Sequence, residues 1–239
     1  MPYTTATAVI TGASRGIGRK IALAFSRHTE RPLFLIARSR IDLETVREEC
    51  LEAGAPAVEI DTCDLTNPAD VEALSIPEHL PAPALLVNNA GTFLLKKLNE
   101  TSVQEFEEQW AINAKAPFLL TNKLLPRIRQ NDRGLIVTIS SVGALSGQAR
   151  SGAYSSAKHA VLGWSRSLRK ELAADNIAVT AINLGQTMST SWKGVDVDPH
   201  ELNDPEDVGR LIVALSNLSV RTVAEEITLR PIGGDRSPD

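Results

Sequence analysis

The sequence predicts an α/β domain: a doubly wound sheet of seven parallel strands with helices on both faces. Three observations predict it. Short apolar runs alternate with longer helix-forming segments along the whole chain, the pattern of repeated βαβ units. A glycine-rich turn follows the first of these runs directly. The length, 239 residues, suits one domain rather than two.

Taken in order, Thr7 to Ile10 is the first strand, and Thr11-Gly12-Ala13-Ser14-Arg15-Gly16-Ile17-Gly18 follows it, opening a helix that runs through Phe25. One glycine suits the tight strand-to-helix turn, a second lets backbone approach a pyrophosphate, and a third lets helix pack on strand. The amides at the helix start then face phosphates. Leu33 to Ala37 is the second strand. An NAD site wants an acid about twenty residues past the glycines. That place holds Arg38, and the nearest acid, Asp42, already lies in the helix from Ile41 to Ala53. Arg15 adds a second cation. Guanidinium groups match a phosphate, so the inference is NADP rather than NAD.

Val58 to Ile60 is the third strand, followed by Cys63, Asp64 and Leu65. Asp64 either meets the adenine amino group or caps a turn. Asn67-Pro68 opens the next helix with cap and proline in their preferred places. Ala84 to Val87 is the fourth strand and runs into Asn88-Asn89-Ala90-Gly91, a backbone suited to closing over a cofactor. Thr101 to Gln104 fits a capping box. The helix it opens carries Trp110 and Asn113, an Asn that is unfavourable there by propensity and so either faces solvent or holds a polar network. Pro117 kinks or restarts the helix, which continues to Ile128.

Leu135 to Ile139 is the fifth strand, ending at Ser140 and Ser141, and Ala153 to Leu172 is the next helix. Tyr154 and Lys158 lie one turn apart on it and share a face. A hydroxyl at a strand's carboxyl edge, a phenol and an ammonium can therefore meet in the ligand crevice of a parallel sheet. Ile177 to Ile182 is the sixth strand. Residues 185–203, with Met188, Trp192 and Pro199, form a polar loop. Asp204-Pro205 caps a last helix to about Leu218, and Glu226 to Leu229 is the seventh strand.

Composition narrows the function classes. A net charge of −4 offers no nucleic-acid surface. No apolar run is long enough to span a bilayer, so no membrane partner is expected. The N-terminus lacks the basic and apolar regions of a signal peptide, so the expectation is a cytoplasmic protein with Cys50 and Cys63 reduced. His28, His79, His159 and His200 are scattered without metal-ligand spacing.

In combination these residues resemble the short-chain dehydrogenase/reductase family over nearly the whole chain. Thr11-Gly-x-x-x-Gly-Ile-Gly18, Asn88-Asn-Ala-Gly91, Ser141 and Tyr154-x-x-x-Lys158 occur in the family's order. The interval of thirteen positions from Ser141 to Tyr154, usual in the family, favours Ser141 over Ser140 as the family's serine, and Asn113 falls where the family has its fourth catalytic residue. Arg15 and Arg38 match the NADP-preferring branch. The tail Glu225 to Pro231 is similar to that of bacterial sepiapterin-reductase-like members. One departure is that Asn183 is followed by Leu184-Gly185-Gln186-Thr187 where the family shows Pro-Gly, so Thr187, Ser189 and Thr190 all stay open as hydroxyl partners of the nicotinamide amide.

The resemblance implies a Rossmann fold and hydride transfer between NADPH and a carbonyl or secondary alcohol. It implies Ser141, Tyr154, Lys158 and Asn113 as catalytic residues, with Gly12, Ser14, Arg15, Gly16, Ile17, Gly18, Arg38, Asp64, Leu65, Asn89, Ala90, Gly91, Gly185 and Thr187 around the cofactor beside Tyr154 and Lys158. With Lys158 about 4 Å from Tyr154 at an effective dielectric of about 20, the phenolate gains about 4 kcal/mol. That would carry the phenol from near 10 toward neutrality. Phe93, Leu94, Leu145, Gln148, Met188 and Trp192 are the expected substrate surroundings, apolar with few charges. A neutral or aromatic carbonyl suits them, a pterin side-chain ketone and a 3-oxoacyl thioester included. The rival class is a non-catalytic NADP-binding regulator. Trp110, Phe118 and Trp164 mark helices that pair in relatives, implying a homodimer or homotetramer.

Overall fold

The computed structural model describes residues 3–192 and 194–234. Seven strands are present: β1 (Thr7–Thr11), β2 (Leu33–Ala37), β3 (Val58–Thr62), β4 (Pro83–Asn88), β5 (Gly134–Ser141), β6 (Ile177–Leu184) and β7 (Glu226–Leu229). They form one sheet in the order β3-β2-β1-β4-β5-β6-β7, and every pairing is parallel. The inner strands β1, β2, β4 and β5 are buried along their whole length, because helices cover both faces. The edge strands β3 and β7 are partly exposed.

Helices α1 (Gly16–His28), α2 (Arg40–Glu52) and α7 (Pro205–Ser216) cover one face, where Phe25, Val46 and Ile212 pack on Ile10, Leu35 and Val137. Helices α3 (Pro68–Ala73), α5 (Ala116–Ile128) and α6 (Gly152–Leu172) cover the other, where Val71, Leu120 and Leu168 join Val9, Phe34, Leu86 and Ile136 in its core. Successive strand residues thus serve opposite layers, as Val9 between Ala8 and Ile10 shows. The strand order reverses between β1 and β4, which places the ligand crevice at the carboxyl ends of those two strands.

Local chemistry sets most boundaries where the sequence puts them. The side chains of Asn67 and Asp204 cap α3 and α7, each followed by proline. The capping box lies one residue later than Thr101–Gln104. Helix α4 (Val103–Trp110) is capped by Ser102, whose hydroxyl accepts the Glu105 N–H at 3.1 Å, while the Glu105 carboxylate accepts the Ser102 N–H at 2.8 Å. The Thr101 hydroxyl faces the preceding turn, where it donates to the Lys97 carbonyl at 2.9 Å. Between α4 and α5 the chain widens into a π-turn, Ala111–Lys115, with the Ala116 N–H reaching back to the Ala111 carbonyl. Pro117 then sits in the first turn of α5, where its missing N–H is harmless. Helix α7 ends at Ser216, short of Leu218.

Among the described residues no helix is long and apolar enough to cross a membrane, and no cluster of His, Cys, Asp and Glu is arranged to hold a metal ion. Cys50 and Cys63 are buried and unpaired.

Candidate active site

The crevice begins with a stitch between β1 and β4. The Thr11 hydroxyl donates to the Val87 carbonyl at 3.2 Å and accepts the N–H groups of Asn89 at 2.9 Å and Ala90 at 3.0 Å. The Asn89 amide donates back to the Thr11 carbonyl at 2.9 Å. Asn89 therefore holds the crevice walls in register. Gly12 and Gly16 have φ of 63° and 55°, backbone that L side chains rarely adopt. A Cβ on Gly18 would lie 2.2 Å from the Gly12 carbonyl oxygen, so only glycine permits α1 to start this close to β1. The result is a side-chain-free cradle in front of the α1 amides, flanked by Ser14 and Ile17, with Arg15 exposed at the helix start.

Arg38 is exposed just beyond β2, beside this cradle. Asp64 follows β3, where it is a turn cap: its carboxylate accepts the Thr66 hydroxyl at 2.7 Å and the Thr66 N–H at 3.0 Å. Those two bonds, with a smaller contribution from the Arg38 guanidinium, hold the Asp64 carboxyl below its ordinary range. Leu65 beside it is buried. Asp42 lies in the first turn of α2, its N–H given to the Ser39 cap.

The catalytic candidates meet at the end of β5. Ser141 closes the strand, and its hydroxyl accepts the Gly143 N–H at 3.0 Å and bonds the Tyr154 hydroxyl. Ser141 Oγ and Tyr154 Cε1 both lie within 4 Å of the point where Gly143 would carry a Cβ. Ser140 is turned to the opposite face by strand alternation, and its hydroxyl is buried there without a hydrogen-bond partner. Lys158 lies a turn beyond Tyr154, almost fully buried, with its ammonium donating to the Ile139 carbonyl at 2.9 Å.

The electrostatics differ from the expectation that Lys158 pulls the phenol toward neutrality. Burial raises the Tyr154 phenol above its ordinary 10, opposed only by the Ser141 hydrogen bond. Burial lowers Lys158 from 10.5 to about 8. The ammonium lies 5.7 Å from the Tyr154 ring centroid and is turned to a backbone carbonyl. Loss of hydration at both groups outweighs their mutual attraction.

Asn113, 1% exposed, sits within the π-turn. Its amide nitrogen donates to the Thr92 carbonyl at 3.0 Å, the Gln109 carbonyl at 3.0 Å and the Gln109 side-chain oxygen at 3.2 Å. Two of these partners are backbone acceptors, which decides the orientation of the amide. Its oxygen, Oδ1, is buried without a partner and lies 2.7 Å from the Cβ position of Gly91, while Lys158 Nζ lies 3.8 Å from the same point. Of the two options for an Asn in this helix, the buried polar network is the one realised. Sequence reading missed Gln109 and Thr92 as members of it. The signal was present in the i,i+4 spacing of Gln109 and Asn113, but only Thr92, from a different element, completes the set.

On the substrate side, Phe93 stands edge-on to the Tyr154 ring at 4.9 Å and 83°. Leu145 and Met188 are exposed. Gln148 is exposed, and its carbonyl accepts the Ser151 hydroxyl at 3.3 Å in the turn leading to α6. The loop after β6 is pinned at its base. The Gly185 N–H bonds the Leu229 carbonyl at 2.7 Å, and the Thr187 hydroxyl donates to the Gly185 carbonyl at 2.9 Å and accepts from Asn203 at 3.2 Å. The Trp192 indole N–H is tied to the Thr187 carbonyl at 3.0 Å. Ser189 and Thr190 lie about 4 Å from the Cβ position of Gly16, so this loop roofs the glycine cradle. Of the three hydroxyls left open by the sequence, Thr187 has its donor engaged within the loop, while those of Ser189 and Thr190 are on the cradle side.

The chain is similar to known proteins in sequence and in fold. A family model described as short chain dehydrogenase matches residues 6–198. The chain is 34% identical over 240 residues to a sepiapterin reductase of Chlorobaculum tepidum, covering 97% of this chain and 98% of that one. It is 28% identical to an uncharacterised oxidoreductase of Staphylococcus saprophyticus over 94% of this chain and 97% of the other. Among solved structures, an alcohol dehydrogenase from the archaeon Thermococcus sibiricus, complexed with 5-hydroxy-NADP, superposes with a TM-score of 0.88 at 27% identity, covering 95% of this chain and 97% of that one. A metagenomic short-chain oxidoreductase in complex with NADP superposes with a TM-score of 0.83 at 27% identity, covering 96% and 99%.

Proposed function

This chain belongs to the short-chain dehydrogenase family, and we propose that it is an NADPH-dependent carbonyl reductase acting on neutral, apolar or aromatic ketones. The observation that carries the reading is the Ser141–Tyr154 hydrogen bond at the carboxyl end of the sheet, with the phenol held above its ordinary pKa by burial. A tyrosine kept protonated is an acid, and an acid is what carbonyl reduction needs.

A phosphorylated dinucleotide fits the residues present. The cradle of Gly12, Gly16 and Gly18 is one that any Cβ would fill or strain, and the α1 amides face it. Arg38 and Arg15 supply cations for a 2′-phosphate, while Asp42 is drawn into α2 and Asp64 into its own turn. Asn89, Ala90 and Gly91 bring backbone to the opposite wall, and Gly185 and Thr187 bring the β6 end. Bound in this cleft, the cofactor supplies the hydride. Tyr154 donates its proton to the carbonyl oxygen as negative charge grows there, and Ser141 hydrogen-bonds the same oxygen. With the cofactor bound, Lys158 would hold its ribose hydroxyls and return a proton toward Tyr154. Asn113 Oδ1, facing the same side as Lys158, accepts a hydrogen bond in that relay.

Phe93, Leu145 and Met188 make the mouth apolar and aromatic, which favours a planar or hydrophobic ketone over a polyanion. A pterin side-chain ketone is within this class, and the Chlorobaculum relative is a sepiapterin reductase. The protein acts as a homodimer or homotetramer in the cytoplasm. Supporting a second copy as partner, Phe106, Trp110 and Phe118 are all exposed on α4 and α5, and Phe118 meets Trp164 of α6 edge-on at 6.4 Å.

The test is loss of NADPH absorbance against a panel of aliphatic ketones, aromatic ketones, diketones, quinones, sepiapterin and 3-oxoacyl thioesters. Turnover of aromatic or apolar carbonyls is expected. No turnover across the panel, with NADPH bound, would point to the regulator class instead.

A further inference from the structure

Resting on that reading, we propose that Gln109 is a positioning residue for proton delivery. It ties the Gly91–Phe93 segment to α4 through Thr92, and so holds Gly91 beside Lys158 and Phe93 against Tyr154. Gln109 is buried on α4 and touches neither Tyr154 nor Lys158 in any bond observed. Its side-chain nitrogen donates to the Thr92 hydroxyl at 3.0 Å, and its side-chain oxygen accepts from Asn113 Nδ2 at 3.2 Å. Its backbone carbonyl accepts from the same Nδ2 at 3.0 Å. The remaining Asn113 partner is the carbonyl of Thr92, the residue Gln109 grips.

Amide orientations follow in sequence. The carbonyls of Thr92 and Gln109 can only accept, so Asn113 must present its nitrogen to them. Gln109 must then present its oxygen to Asn113 and its nitrogen to Thr92. Every polar atom of the Gln109 side chain is satisfied by this one arrangement, which offsets the cost of burying an amide in a helix. The unpartnered atom left over is Asn113 Oδ1, packed against Gly91.

The segment so gripped is short and carries a working group at each end. Gly91 abuts Asn113 Oδ1 and Lys158 Nζ, and Phe93 stands against the Tyr154 ring. No other side-chain bond among those observed ties Thr92 to α4. Loss of the Gln109 amide therefore loosens the segment at Thr92, while Asn113 keeps its bonds to the Thr92 and Gln109 carbonyls and the glycine cradle that binds phosphates stays intact.

The experiment compares Gln109→Leu, Thr92→Val and the double variant with wild type, using the best carbonyl from the panel. Expected for Gln109→Leu is a fall in kcat of about tenfold, short of the loss of the acid itself. The NADPH dissociation constant should stay within about twofold, because binding energy from the cradle is untouched. The solvent deuterium isotope effect on kcat should rise, and the effect of deuterated NADPH should fall, as proton delivery becomes limiting. The double variant should be no worse than Gln109→Leu, since both break one clamp. If Gln109→Leu lowers the melting temperature, Thr92→Val at an exposed residue serves alone, with reduced kcat at unchanged stability expected. Wild-type kcat and isotope effects in these variants, or losses that simply multiply, would overturn the clamp. Tyr154→Phe run beside them separates the two ideas: activity surviving in Tyr154→Phe refutes the acid assignment, whatever Gln109 does.

Discussion

The Lys158 ammonium donates to the carbonyl of Ile139 at 2.9 Å, two residues ahead of the serine that bonds Tyr154. The lysine is thus anchored to the strand that carries Ser141 while riding the helix that carries Tyr154. Together with the Ser141–Tyr154 bond it ties β5 to α6 at the site, and it is made by a group whose burial is unfavourable. Lys158 is drawn down to about 8 by loss of hydration, with no carboxylate to compensate it.

That strain predicts a trade between activity and stability. Between about 8 and 10.5 the unfolded chain keeps the Lys158 proton and the folded chain does not, so stability rises with pH across that window. Below it the full penalty of about 3 kcal/mol stands. Lys158→Met removes the penalty and also the Ile139 hydrogen bond, worth about 1 kcal/mol. The unliganded variant should therefore be more stable than wild type by about 1–2 kcal/mol at pH 7, with the advantage fading above pH 8. Urea melts at pH 7 and pH 10 check the sign, and a less stable variant at pH 7 contradicts it.

Tyr154→Phe should lower kcat by at least about a hundredfold, the lower end for a lost acid–base group. NADPH binding, followed by fluorescence, should persist because the cradle is unaltered. Turnover near the wild-type value would show that another group supplies the proton.

Arg38→Asp should move coenzyme preference from NADPH toward NADH. The substitution removes a cation and places a carboxylate where a ribose 2′-hydroxyl can be bound. The ratio of kcat/KM for the two coenzymes measures it. An unchanged ratio would shift the phosphate contact to Arg15 or elsewhere.

Trp110→Glu combined with Phe118→Glu should give a monomer by light scattering, whereas wild type gives a dimer or tetramer. Both rings are close to half exposed in the single chain, so charges there cost little unless a second copy covers them. A monomeric wild type would remove the proposed interface.

The order of strands and helices was legible because the chain follows local rules closely. Apolar runs mark the buried strands, Asn67-Pro68 and Asp204-Pro205 mark helix starts, and glycines mark the cradle. Where two local signals competed, legibility failed by a residue: Thr101 and Ser102 are both able to cap, and in the fold the Thr101 hydroxyl faces the preceding turn at Lys97 while Ser102 meets the Glu105 N–H. The choice of Ser141 over Ser140 came from spacing, and strand alternation gives it a physical basis.

By itself, the sequence determined which groups the chain brings to the crevice: Ser141, Tyr154, Lys158 and Asn113, with arginines rather than an acid beyond the cradle. Periodicity puts Tyr154 and Lys158 on one face, while Asn113 and the choice of Ser141 come from the resemblance to the family, and both rest on the order of residues along the chain. Tertiary structure alone decided how the groups behave. It turned Lys158 toward Ile139 and left Tyr154 half-buried, so that desolvation raised the phenol when a pairwise estimate predicted the reverse. It also brought Thr92 to Gln109 and Asn113 across seventeen and twenty-one residues of chain. Hydration and long-range contact depend on what packs around a group, and that is settled only when separate elements meet.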